Sequence, residues 1–460
     1  MPRIALSMIV KNGAATLRDC LQSVRGVVDE IVIADTGSAD DSVSIAREFG
    51  ARVFDIPWEN DFAIARNRAL EAVNADWVLA LDSDEVLDPE ASRVIPGLIS
   101  AENIAGYMVP IRNYFLSLDD RIWDKPAKPN DSDLPAAKRY PAYVDHENVR
   151  LFRRDARIYF VGRVHESVGS RIEENGLRLG RARFLIHHFG LAADAETKAR
   201  KNRFYHDLGK LKVDEMPGNA QAHLELGLVE MEDSGSIEAA LASFNTACRL
   251  NPEFGVAWFF AGVANARLGK YKESIGCLKR AEKHGRRTAT TAEFIGDGFY
   301  NLGEFAAAAR AYERALTLAP KSLQLEGKLG LSTVRRGCAE PGLQRIRHAL
   351  GQKPDLPDLH DRLILSLASI ERVPEAAVAA EAKLRNVKSP IARDFAVAAR
   401  LWAQTGNWAR ATAVLHVGLQ IHPGDASLSE LLEELETKAG PRVGELVAAL
   451  NDRGVRTSEH

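Results

Sequence analysis

The sequence predicts an α/β domain with a mainly parallel sheet, followed by an all-α array of stacked helical repeats. Up to about residue 190, short apolar runs alternate with amphipathic stretches, as strands and helices do in a parallel sheet covered on both faces. Acidic residues end two of the apolar runs, at Asp35 and Asp82, and such sheets bind ligands beyond the carboxyl ends of their strands. From about residue 217 the pattern is helical throughout and repeats.

The apolar alternation assigns the elements of the first domain in chain order. The runs "IALSMIV", "EIVIAD", "ARVFDI" and "DWVLALD" are typical of strands, and "ATLRDCLQSV", "DDSVSIAREFG" and "DFAIARNRALEAV" of helices between them. Segment 117–149 interrupts this rhythm, because it is rich in Pro, Asp and Lys and has no periodicity. A long irregular segment inside a compact domain is typically a functional lid or disordered. Three strand-like runs follow it: "VRLFRR", "RIYFVGRVHESV" and "ARFLIHHFG".

The helical half repeats with a period of 34 residues. Gly262, Gly296 and Gly330 are spaced by 34, and Gly227 lies 35 residues before Gly262. Larger apolar residues follow the four glycines after 16 or 17 positions, at Phe244, Leu278, Tyr312 and Ile346. The pattern is similar to the tetratricopeptide repeat, a helix–turn–helix unit. About six such units and a closing helix over 427–450 would form a superhelix with a concave face.

Length and pattern together predict the domain limits. A chain of 460 residues is too long for one hydrophobic core. We expect the α/β domain over 1–192, a helical linker over 193–216, the repeats over 217–424, and a capping helix and tail over 425–460.

Composition excludes several classes of protein. A formal net charge of −3 gives no whole-chain attraction to nucleic acid or to anionic membrane. The four cysteines form no CxxC pair, which excludes a zinc ribbon and favours a reducing compartment. No run of 18 apolar residues occurs, so no membrane span is expected. These features predict a soluble, cytoplasmic protein.

The stretch "WVLALDSDEVLDPE" (Trp77–Glu90) carries the clearest chemical signal. Its apolar run ends in Asp82, Ser83, Asp84 and Glu85, and three crowded carboxylates repel one another and are costly to desolvate. Mg²⁺ or Mn²⁺ would offset that cost and bridge carboxylates to a diphosphate. Residues i and i+2 of a strand point the same way, so Asp82 and Asp84 can face one ligand. A solvated turn is the alternative, whereas a calcium loop is excluded because no glycine occupies its sixth position.

Four stretches, in order, carry a family resemblance. They are "LSMIVKNGAATLRDCLQSV", "DEIVIADTGSADDSVSIA", "WENDFAIARNRALEAVNADWVLALDSDE", and "RLFRR" with "GRVHES". Together they resemble the family 2 nucleotide-sugar glycosyltransferases of GT-A fold, which is Rossmann-like, over about residues 1–190. Within that family the sequence is similar to transferases with C-terminal tetratricopeptide repeats, including those that glycosylate peptides. It is also similar to the lipopolysaccharide-core glucosyltransferases.

The resemblance implies a donor site at the ends of the first strands. Three residues of the first strand and its loop correspond to the wall of the uracil and ribose site: Ser7, Ile9 and Asn12. Asp35 resembles the carboxylate that contacts the base or ribose, with a turn or helix-cap role as its alternative. Asp61 and Arg66 lie in "DFAIARN", and Arg66 resembles the arginine that approaches the nucleotide phosphate. A surface position on an amphipathic helix is the alternative for Arg66.

The resemblance also implies a metal site. It assigns Asp82 to the ribose or the metal, the adjacent Ser83 to the donor, and Asp84 to direct ligation of Mg²⁺ or Mn²⁺. We expect Glu85 to point inward or to orient a neighbour. In "LIHHFG", His188 matches the His-aromatic-Gly pattern of the last metal ligand, with a core histidine as the alternative.

An inverting transferase needs a general base for the acceptor proton, while a metal stabilises the leaving diphosphate. Glu166, after a glycine-interrupted strand, is the predicted base, because its family counterpart lies on the acceptor side. His165 would orient Glu166 or bind donor phosphate, and Asp145 is a reserve base. Arg150 and Arg153 are expected to contact phosphate or position the lid. A structural role at a strand end is the alternative for Glu166 and His165.

These observations predict an inverting, metal-dependent glycosyltransferase. It would move a sugar from a nucleoside-diphosphate sugar to a protein or peptide recruited by the repeats. A UDP-sugar is the favoured donor. One alternative acceptor is lipopolysaccharide or another surface glycan. A non-catalytic repeat scaffold with a decayed transferase domain is the other reading, and homo-oligomerisation is an alternative role for the repeats. Nucleotide hydrolysis by a phosphate loop is disfavoured, because no G-x-x-x-x-G-K-[ST] motif occurs.

Overall fold

The computed structural model describes residues 2–117, 121–122, 125–190, 195–232, 236–439 and 447. Contacts divide the chain into two compact units, Met1–Leu250 and Asn251–His460. The first unit holds the sheet and the first helices of the helical half, and the described part of the second is helical. The domain limits expected at 192, 216 and 424 remain predictions.

The sheet domain alternates strands and helices along the chain. The strands are β1 (Ile4–Val10), β2 (Glu30–Asp35), β3 (Arg52–Asp55), β4 (Trp77–Ala80), β5 (Glu85–Leu87), β6 (Gly106–Phe115), β7 (Arg121–Ile122), β8 (Lys125–Pro126), β9 (Lys128–Pro129), β10 (Ala142–Arg153), β11 (Leu179–Arg181) and β12 (Ile186–His188). The helices are α1 (Ala14–Ser23), α2 (Ser42–Glu48), α3 (Phe62–Glu71), α4 (Ala91–Ile99) and α5 (Gly169–Glu174).

The main sheet has the order β3-β2-β1-β4-β10-β6-β12-β5, with β11 on β6 and β9 on β10. Strands β3, β2, β1 and β4 are parallel, as the crossover helices between them require. Strand β10 is antiparallel to both β4 and β6, so β6 runs in the direction of β4. The α/β class is confirmed. The sheet is mixed, because β6 and β10 are joined without a crossover helix.

Strand β1 shows why both faces of the sheet are covered. Its side chains alternate: Leu6 and Met8 join one apolar cluster with α1 and α4, and Ala5 joins another with α3. All three are fully buried. This two-sided burial explains the continuous apolar run of the sequence.

The segment expected to be irregular is partly a strand. Residues 142–149 belong to β10, where Ala142 and Val144 pack with Phe115 of β6. Before them lie β7, β8, β9 and a 3-10 turn, Pro135–Ala137. The parts of the segment at 118–120 and 123–124 lie outside the described residues.

The run expected as a glycine-interrupted strand is a loop. Between β10 and α5 the chain makes only an isolated bridge, Val161 to Ser167. Gly162 (φ 100°) and His165 (φ 54°) both adopt left-handed backbone, which extended strands cannot contain. The loop therefore turns back on itself and presents Glu166 at its end.

The helical half consists of consecutive helix–turn–helix pairs. Its helices are α6 (Ala195–Glu215), α7 (Ala220–Glu232), α8 (Ile237–Leu250), α9 (Gly255–Arg267), α10 (Tyr271–Lys283), α11 (Ala289–Asn301), α12 (Phe305–Leu318), α13 (Leu323–Arg335), α14 (Ala339–Gln352), α15 (Pro357–Ala368), α16 (Val373–Asn386), α17 (Ala392–Gln404), α18 (Trp408–Ile421) and α19 (Ala426–Ala439). The expected helical array is confirmed.

The periodic glycines lie where paired helices approach most closely. Each sits on the first helix of a pair, against the large residue predicted from the period. A Cβ there would lie 2.5–2.6 Å from side-chain atoms of that residue: Phe244 for Gly227, Leu278 for Gly262, Tyr312 for Gly296 and Ile346 for Gly330. Real Cβ atoms do not approach so closely, so the period of the sequence is a packing requirement.

The end of the chain is described only in part. Helix α19 covers the first half of the expected closing helix, whereas the rest of 440–460 lies outside the described residues apart from Val447. Residues 193–194 of the expected linker are also outside them. Within the part of the chain that is described, no helix is long and apolar enough to cross a membrane.

Candidate active site

The predicted site residues converge at the carboxyl edge of the parallel strands. Asp35 ends β2, and Asp82 follows β4. Strand β12 is parallel to β6, and β6 runs in the direction of β4, so His188 ends its strand at the same edge. The topology therefore brings together residues that are 153 positions apart in the chain.

Two arginines hold the strand-end acids. Arg66 Nη2 donates to Asp82 Oδ1 at 2.5 Å, and Arg150 Nη2 to Asp82 Oδ2 at 3.2 Å. Arg150 Nη2 also donates to Glu85 Oε1 at 2.7 Å, and Glu85 Oε2 accepts from the Asp82 backbone N–H at 2.8 Å. The opposite end of the Arg66 fork reaches across the site, where Nε donates to Glu166 Oε1 at 2.5 Å. Two guanidinium groups thus supply positive charge directly beside these acids.

This network separates the pKa values of two neighbouring carboxyls. Burial favours the neutral form of Asp82, but Arg66 and Arg150 outweigh it and hold its pKa well below the usual range. For Glu85, only 1% exposed, burial dominates and raises the pKa to about 7 despite Arg150. Asp82 is therefore the permanent anion of the pair.

A buried thiol lies beneath the acids. Cys20 Sγ donates to the Asp82 carbonyl at 3.4 Å. Burial raises the pKa of the Cys20 thiol well above its usual range, and the charges of Glu85, Asp82 and Asp84 raise it further. The thiol therefore stays protonated and serves as a structural donor.

Asp84 and His188 form a second, outward-facing pair. Asp84 Oδ2 lies 3.4 Å from His188 Nε2, and Asn113 Oδ1 accepts from His188 Nδ1 at 2.8 Å. This bond directs the Nε2 lone pair of the neutral ring towards Asp84. Burial lowers the His188 pKa, but the hydrogen bond that the protonated ring donates to Asp84 and the nearby carboxylates outweigh it, so the pKa is raised.

This pair fits a divalent cation. Adjacent ligands of an octahedral ion with bonds of about 2.1 Å lie about 3 Å apart, close to the separation of Asp84 Oδ2 and His188 Nε2. Gly190 leaves the space open, because a Cβ there would collide with the Asp84 carboxylate and lie 2.9 Å from His188 Nε2. Within the described ranges, no group of three His, Cys, Asp or Glu side chains could hold a metal. Among the described residues, this pair would supply two ligands, and phosphate oxygens and water can serve as further ligands.

The neighbouring histidine has a different environment. His187 is 2% exposed; its Nδ1 lies 2.8 Å from the Tyr114 hydroxyl and its Nε2 3.1 Å from Asp88 Oδ2. Burial lowers the pKa of His187. Both ring nitrogens of His187 are occupied, so of these two adjacent histidines it is His188 that has a nitrogen available for a ligand.

Asp35 combines a turn role with an unsatisfied oxygen. Its Oδ2 accepts from the backbone N–H groups of Gly37 and Ser38, at 3.0 and 2.8 Å. Its Oδ1 is buried and has no hydrogen-bond partner among the described residues. Asn12, in left-handed backbone, braces the same turn, since its Oδ1 accepts from Ala39 N at 2.8 Å. A buried carboxylate oxygen without a partner can accept a hydrogen bond from a bound ligand.

The other predicted donor-side residues take supporting positions. Ser7 is buried within β1, and Ile9 packs in a small apolar cluster with Ala34. A Cβ on Gly13 would lie 2.7 Å from Ser83 Oγ, so the first loop and the acid turn are in close contact. Asp61 caps α3 by accepting from Ile64 N at 3.0 Å.

The loop carrying Glu166 is bound to α3. Asn67 Nδ2 donates to the Phe160 carbonyl at 2.9 Å, and the Phe160 N–H donates back to Asn67 Oδ1 at 2.8 Å. Glu166 Oε1 is held by Arg66, and Oε2 has no hydrogen bond within the described ranges. His165 is exposed beside it. The loop thus presents one carboxylate oxygen to which no described residue is hydrogen-bonded.

Two residues named with the site are occupied elsewhere. Arg112 holds both oxygens of Asp145, at 2.9 and 3.2 Å. Arg153 donates to the carbonyls of Ile104 and Ala101, at 2.8 and 2.6 Å. These contacts lie apart from the ion pairs that Arg66 makes with Asp82 and Glu166.

Tyr205 is a site residue that the sequence reasoning did not identify. It lies on α6, and its ring stacks on His165 with 6.1 Å between centroids. Burial raises the Tyr205 pKa to about 12, and the charges of Asp82, Glu166 and Asp84 add to the rise. It went unnoticed because α6 follows the recognisable motifs, and its sequence shows only a helix.

Comparisons with known proteins agree with this architecture. Residues 6–159 match the family model "Glycosyl transferase family 2", and residues 232–290 and 294–322 match two tetratricopeptide-repeat models. The chain therefore combines an N-terminal family 2 glycosyltransferase domain with C-terminal tetratricopeptide repeats, and both parts of the family prediction are confirmed.

Three curated relatives match parts of the chain. An uncharacterized glycosyltransferase of Rickettsia felis is 33% identical over 108 residues, covering 24% of this chain and 38% of that protein. The SPbeta prophage-derived glycosyltransferase SunS of Bacillus subtilis is 26% identical over 167 residues, covering 36% and 34%. A TPR repeat-containing protein of Synechococcus elongatus is 46% identical over 91 residues, covering 20% and 23%. The chain thus spans less than two-fifths of each relative.

Proposed function

We propose that the chain is an inverting, metal-dependent glycosyltransferase. It moves a sugar from a nucleoside-diphosphate sugar to a protein or peptide acceptor recruited by the repeats. A UDP-sugar is the first candidate for the donor. The observation that carries the proposal is the single carboxyl edge where the Asp84–His188 pair and the Glu166 carboxylate flank the Arg66–Asp82 ion pair. This arrangement separates a diphosphate end from a proton-accepting end.

The donor end uses the first strands. The unsatisfied Asp35 Oδ1 would accept from the base or ribose, beside the turn braced by Asn12. Asp84 and His188 would hold Mg²⁺ or Mn²⁺, which when bound offsets the charge of the departing diphosphate. Ser83 and the Asp82 carboxylate would line the space between the two.

The acceptor end uses Glu166. The acceptor oxygen forms its bond to the anomeric carbon as the bond from that carbon to the diphosphate oxygen breaks. The acceptor proton passes to Glu166 Oε2, the oxygen that Arg66 does not hold. Arg66 is 5% exposed and lies 5.5 Å from the Phe160 ring centroid, so it orients Glu166 and Asp82 as a rigid fork.

Inversion is favoured because the two carboxylates bound by Arg66 and Arg150, beside Glu166, are occupied. Both oxygens of Asp82 are held by arginines, and Glu85 is buried beneath them. A retaining mechanism would need a second carboxylate free to attack the anomeric carbon. A single displacement needs only the base.

A panel of nucleotide sugars tests the proposal. We expect one UDP-, GDP- or dTDP-sugar to be hydrolysed slowly by the full chain, with nucleotide release that stops when EDTA removes the divalent ion and returns with Mn²⁺. Thermal stabilisation by the matching nucleoside diphosphate should depend on the same ion. The measurements are coupled nucleotide-release assays and melting curves.

Two outcomes would count against it. If no member of the panel is bound or hydrolysed with any divalent ion, the chain does not use a nucleotide-sugar donor. The result would then favour the alternative of a non-catalytic repeat scaffold. If a transferred sugar shows retained anomeric configuration by its NMR coupling constant, the single displacement through Glu166 is wrong.

Removing the second unit tests the role of the repeats. A fragment ending at Leu250 keeps the first contact-defined unit whole. It should hydrolyse the donor at a rate close to that of the full chain, but label the proteins of a cell extract at least about 10-fold less, because the acceptor loses its tethered effective concentration. Circular dichroism and size exclusion must first show a folded, monodisperse fragment. Equal labelling by fragment and full chain would rule out the second unit as acceptor platform.

A further inference from the structure

The loop that carries Glu166 has a backbone that needs outside support. Residues 161–167 close through one bridge, and His165, directly before Glu166, has a φ of 54°. A non-glycine residue persists in left-handed backbone only where its surroundings determine it, and such residues cluster at functional sites. The surroundings that hold this loop are therefore part of how Glu166 is placed.

Helix α6 provides that support from one face. Residues 205, 212 and 215 are separated by seven and three positions, so they lie on the same side of the helix. Three consecutive loop residues each have a partner there. The contacts are Arg163 with Glu215, Val164 with Lys212, and His165 with Tyr205.

Lys212 is the centre of this face. It is 6% exposed, and its Nζ donates to the Val164 carbonyl at 2.7 Å. A Cβ on Gly162 would lie 3.2 Å from the same Nζ, so the ammonium also fills the space beneath the first left-handed residue of the loop. A buried lysine has to be fully paired to be tolerated.

Its second partner lies on the following helix. Lys212 Nζ donates to Glu225 Oε2 of α7 at 2.6 Å, and Gln221 Nε2 donates to Glu225 Oε1 at 2.9 Å. Helix α7 carries Gly227, the first glycine of the repeat period. One buried ammonium therefore joins the first repeat helix to the backbone of the loop bearing the candidate base.

We propose that Lys212 is a positioning residue. Through the Val164 carbonyl and Glu225 it holds the 161–167 loop in the conformation that places Glu166, so α6 and α7 are an integral part of the active site. The inference rests on the proposed role of Glu166 for its catalytic consequence. Its structural consequence, an ordered loop, stands without any turnover.

Full-length variants separate positioning from stability. Lys212→Met removes the donor while keeping an unbranched side chain that ends at the Cε position, and Lys210→Met is the matched control, because Lys210 is exposed on the same helix. The double variant Lys212→Met, Glu225→Leu removes both buried charges, and replacing a buried ion pair with apolar residues commonly preserves stability. Lys212→Arg keeps a cationic donor at this position and is the rescue variant.

Three measurements are made on each variant. They are the melting temperature, the hydrogen exchange of the 161–167 amides, and the binding of UDP with Mn²⁺ alongside kcat for the donor found in the panel. In the double variant we expect a near-native melting temperature and unchanged UDP binding. Loop exchange should be at least about 10-fold faster and kcat about 10- to 100-fold lower, since misplacement of a catalytic group by about 1 Å has effects of this size. Lys212→Arg should recover most of kcat, and Lys210→Met should match the unaltered protein.

Other results overturn the inference. If loop exchange in the double variant equals that of the unaltered protein, Lys212 does not hold the loop. If kcat recovers together with the melting temperature, its role is stability alone. If exchange rises while the unaltered protein turns over no donor, the loop is held as described but the catalytic consequence and the proposed function both fail.

Discussion

Replacing Asp84 with alanine should abolish metal-dependent nucleotide binding while the fold survives. We expect the affinity for UDP with Mn²⁺ to fall by more than about 100-fold, because even the outer partners of metal ligands are worth 10- to 100-fold. The side chain of Asp84 is 29% exposed and pairs only with His188 among the described side chains. Its removal should therefore change the melting temperature little. Calorimetric titration of UDP, with and without Mn²⁺, measures the effect.

The adjacent histidines provide a matched control. His188→Ala should reproduce the loss of Mn²⁺-dependent binding, because it removes the second ligand of the proposed pair. His187→Ala should instead lower the melting temperature, because the buried Tyr114 hydroxyl and the partly exposed Asp88 lose their common partner, while Mn²⁺-dependent binding persists. If both Asp84→Ala and His188→Ala keep a normal Mn²⁺ dependence, the metal does not bind at this edge of the sheet.

The fold and the outline of the site could be derived from sequence because their signals are local or periodic. Alternating apolar runs assigned the first strands and helices, and the 34-residue period located the glycines that contact Phe244, Leu278, Tyr312 and Ile346. The strand-end positions of Asp35 and Asp82 followed from the same alternation. Each of these inferences needs only neighbouring residues or a constant spacing.

The network inside the site is not local, and this is why its details could not be derived. Arg66 contacts partners 16 and 100 positions away, and Arg150 reaches Glu85 across 65. The sequence offered a metal as the charge that offsets Asp82, and gave no sign that two arginines hold that acid. No spacing rule predicts which of several arginines turns towards a given carboxylate.

The loop of Glu166 was mistaken for a strand for a different reason. "RIYFVGRVHESV" has the β-branched and aromatic residues of a strand, but Gly162 and His165 have left-handed φ values and lie in a loop that makes tertiary contacts. Among those contacts are Lys212 and Tyr205, on a helix beyond the recognisable motifs. Tertiary packing can override the strand propensity of a sequence, and here it does so next to Glu166, the candidate base.

Replacing Glu166 with glutamine should separate chemistry from binding. An amide cannot take the acceptor proton, so kcat should fall about 10²- to 10⁴-fold, the usual contribution of a general base. Glutamine keeps an oxygen that can accept from Arg66 Nε, so the Arg66–Asp82 pair and the melting temperature should be preserved. UDP binding with Mn²⁺ should stay within about 2-fold, since a group acting only in the transition state changes kcat and not ground-state affinity.

The comparison variant is Glu173→Gln, an exposed carboxylate on α5 close behind the same loop. It should leave kcat and UDP binding unchanged. This result would show that losing a carboxylate in this region does not by itself lower kcat. If Glu166→Gln weakens UDP binding in proportion to its loss of kcat, the residue belongs to the donor side. If it keeps full kcat, the base lies elsewhere, and Asp145 would have to be released from Arg112 to serve. The Arg66 contact favours a selective loss of kcat, because it fixes one oxygen of Glu166 and leaves the other to the acceptor.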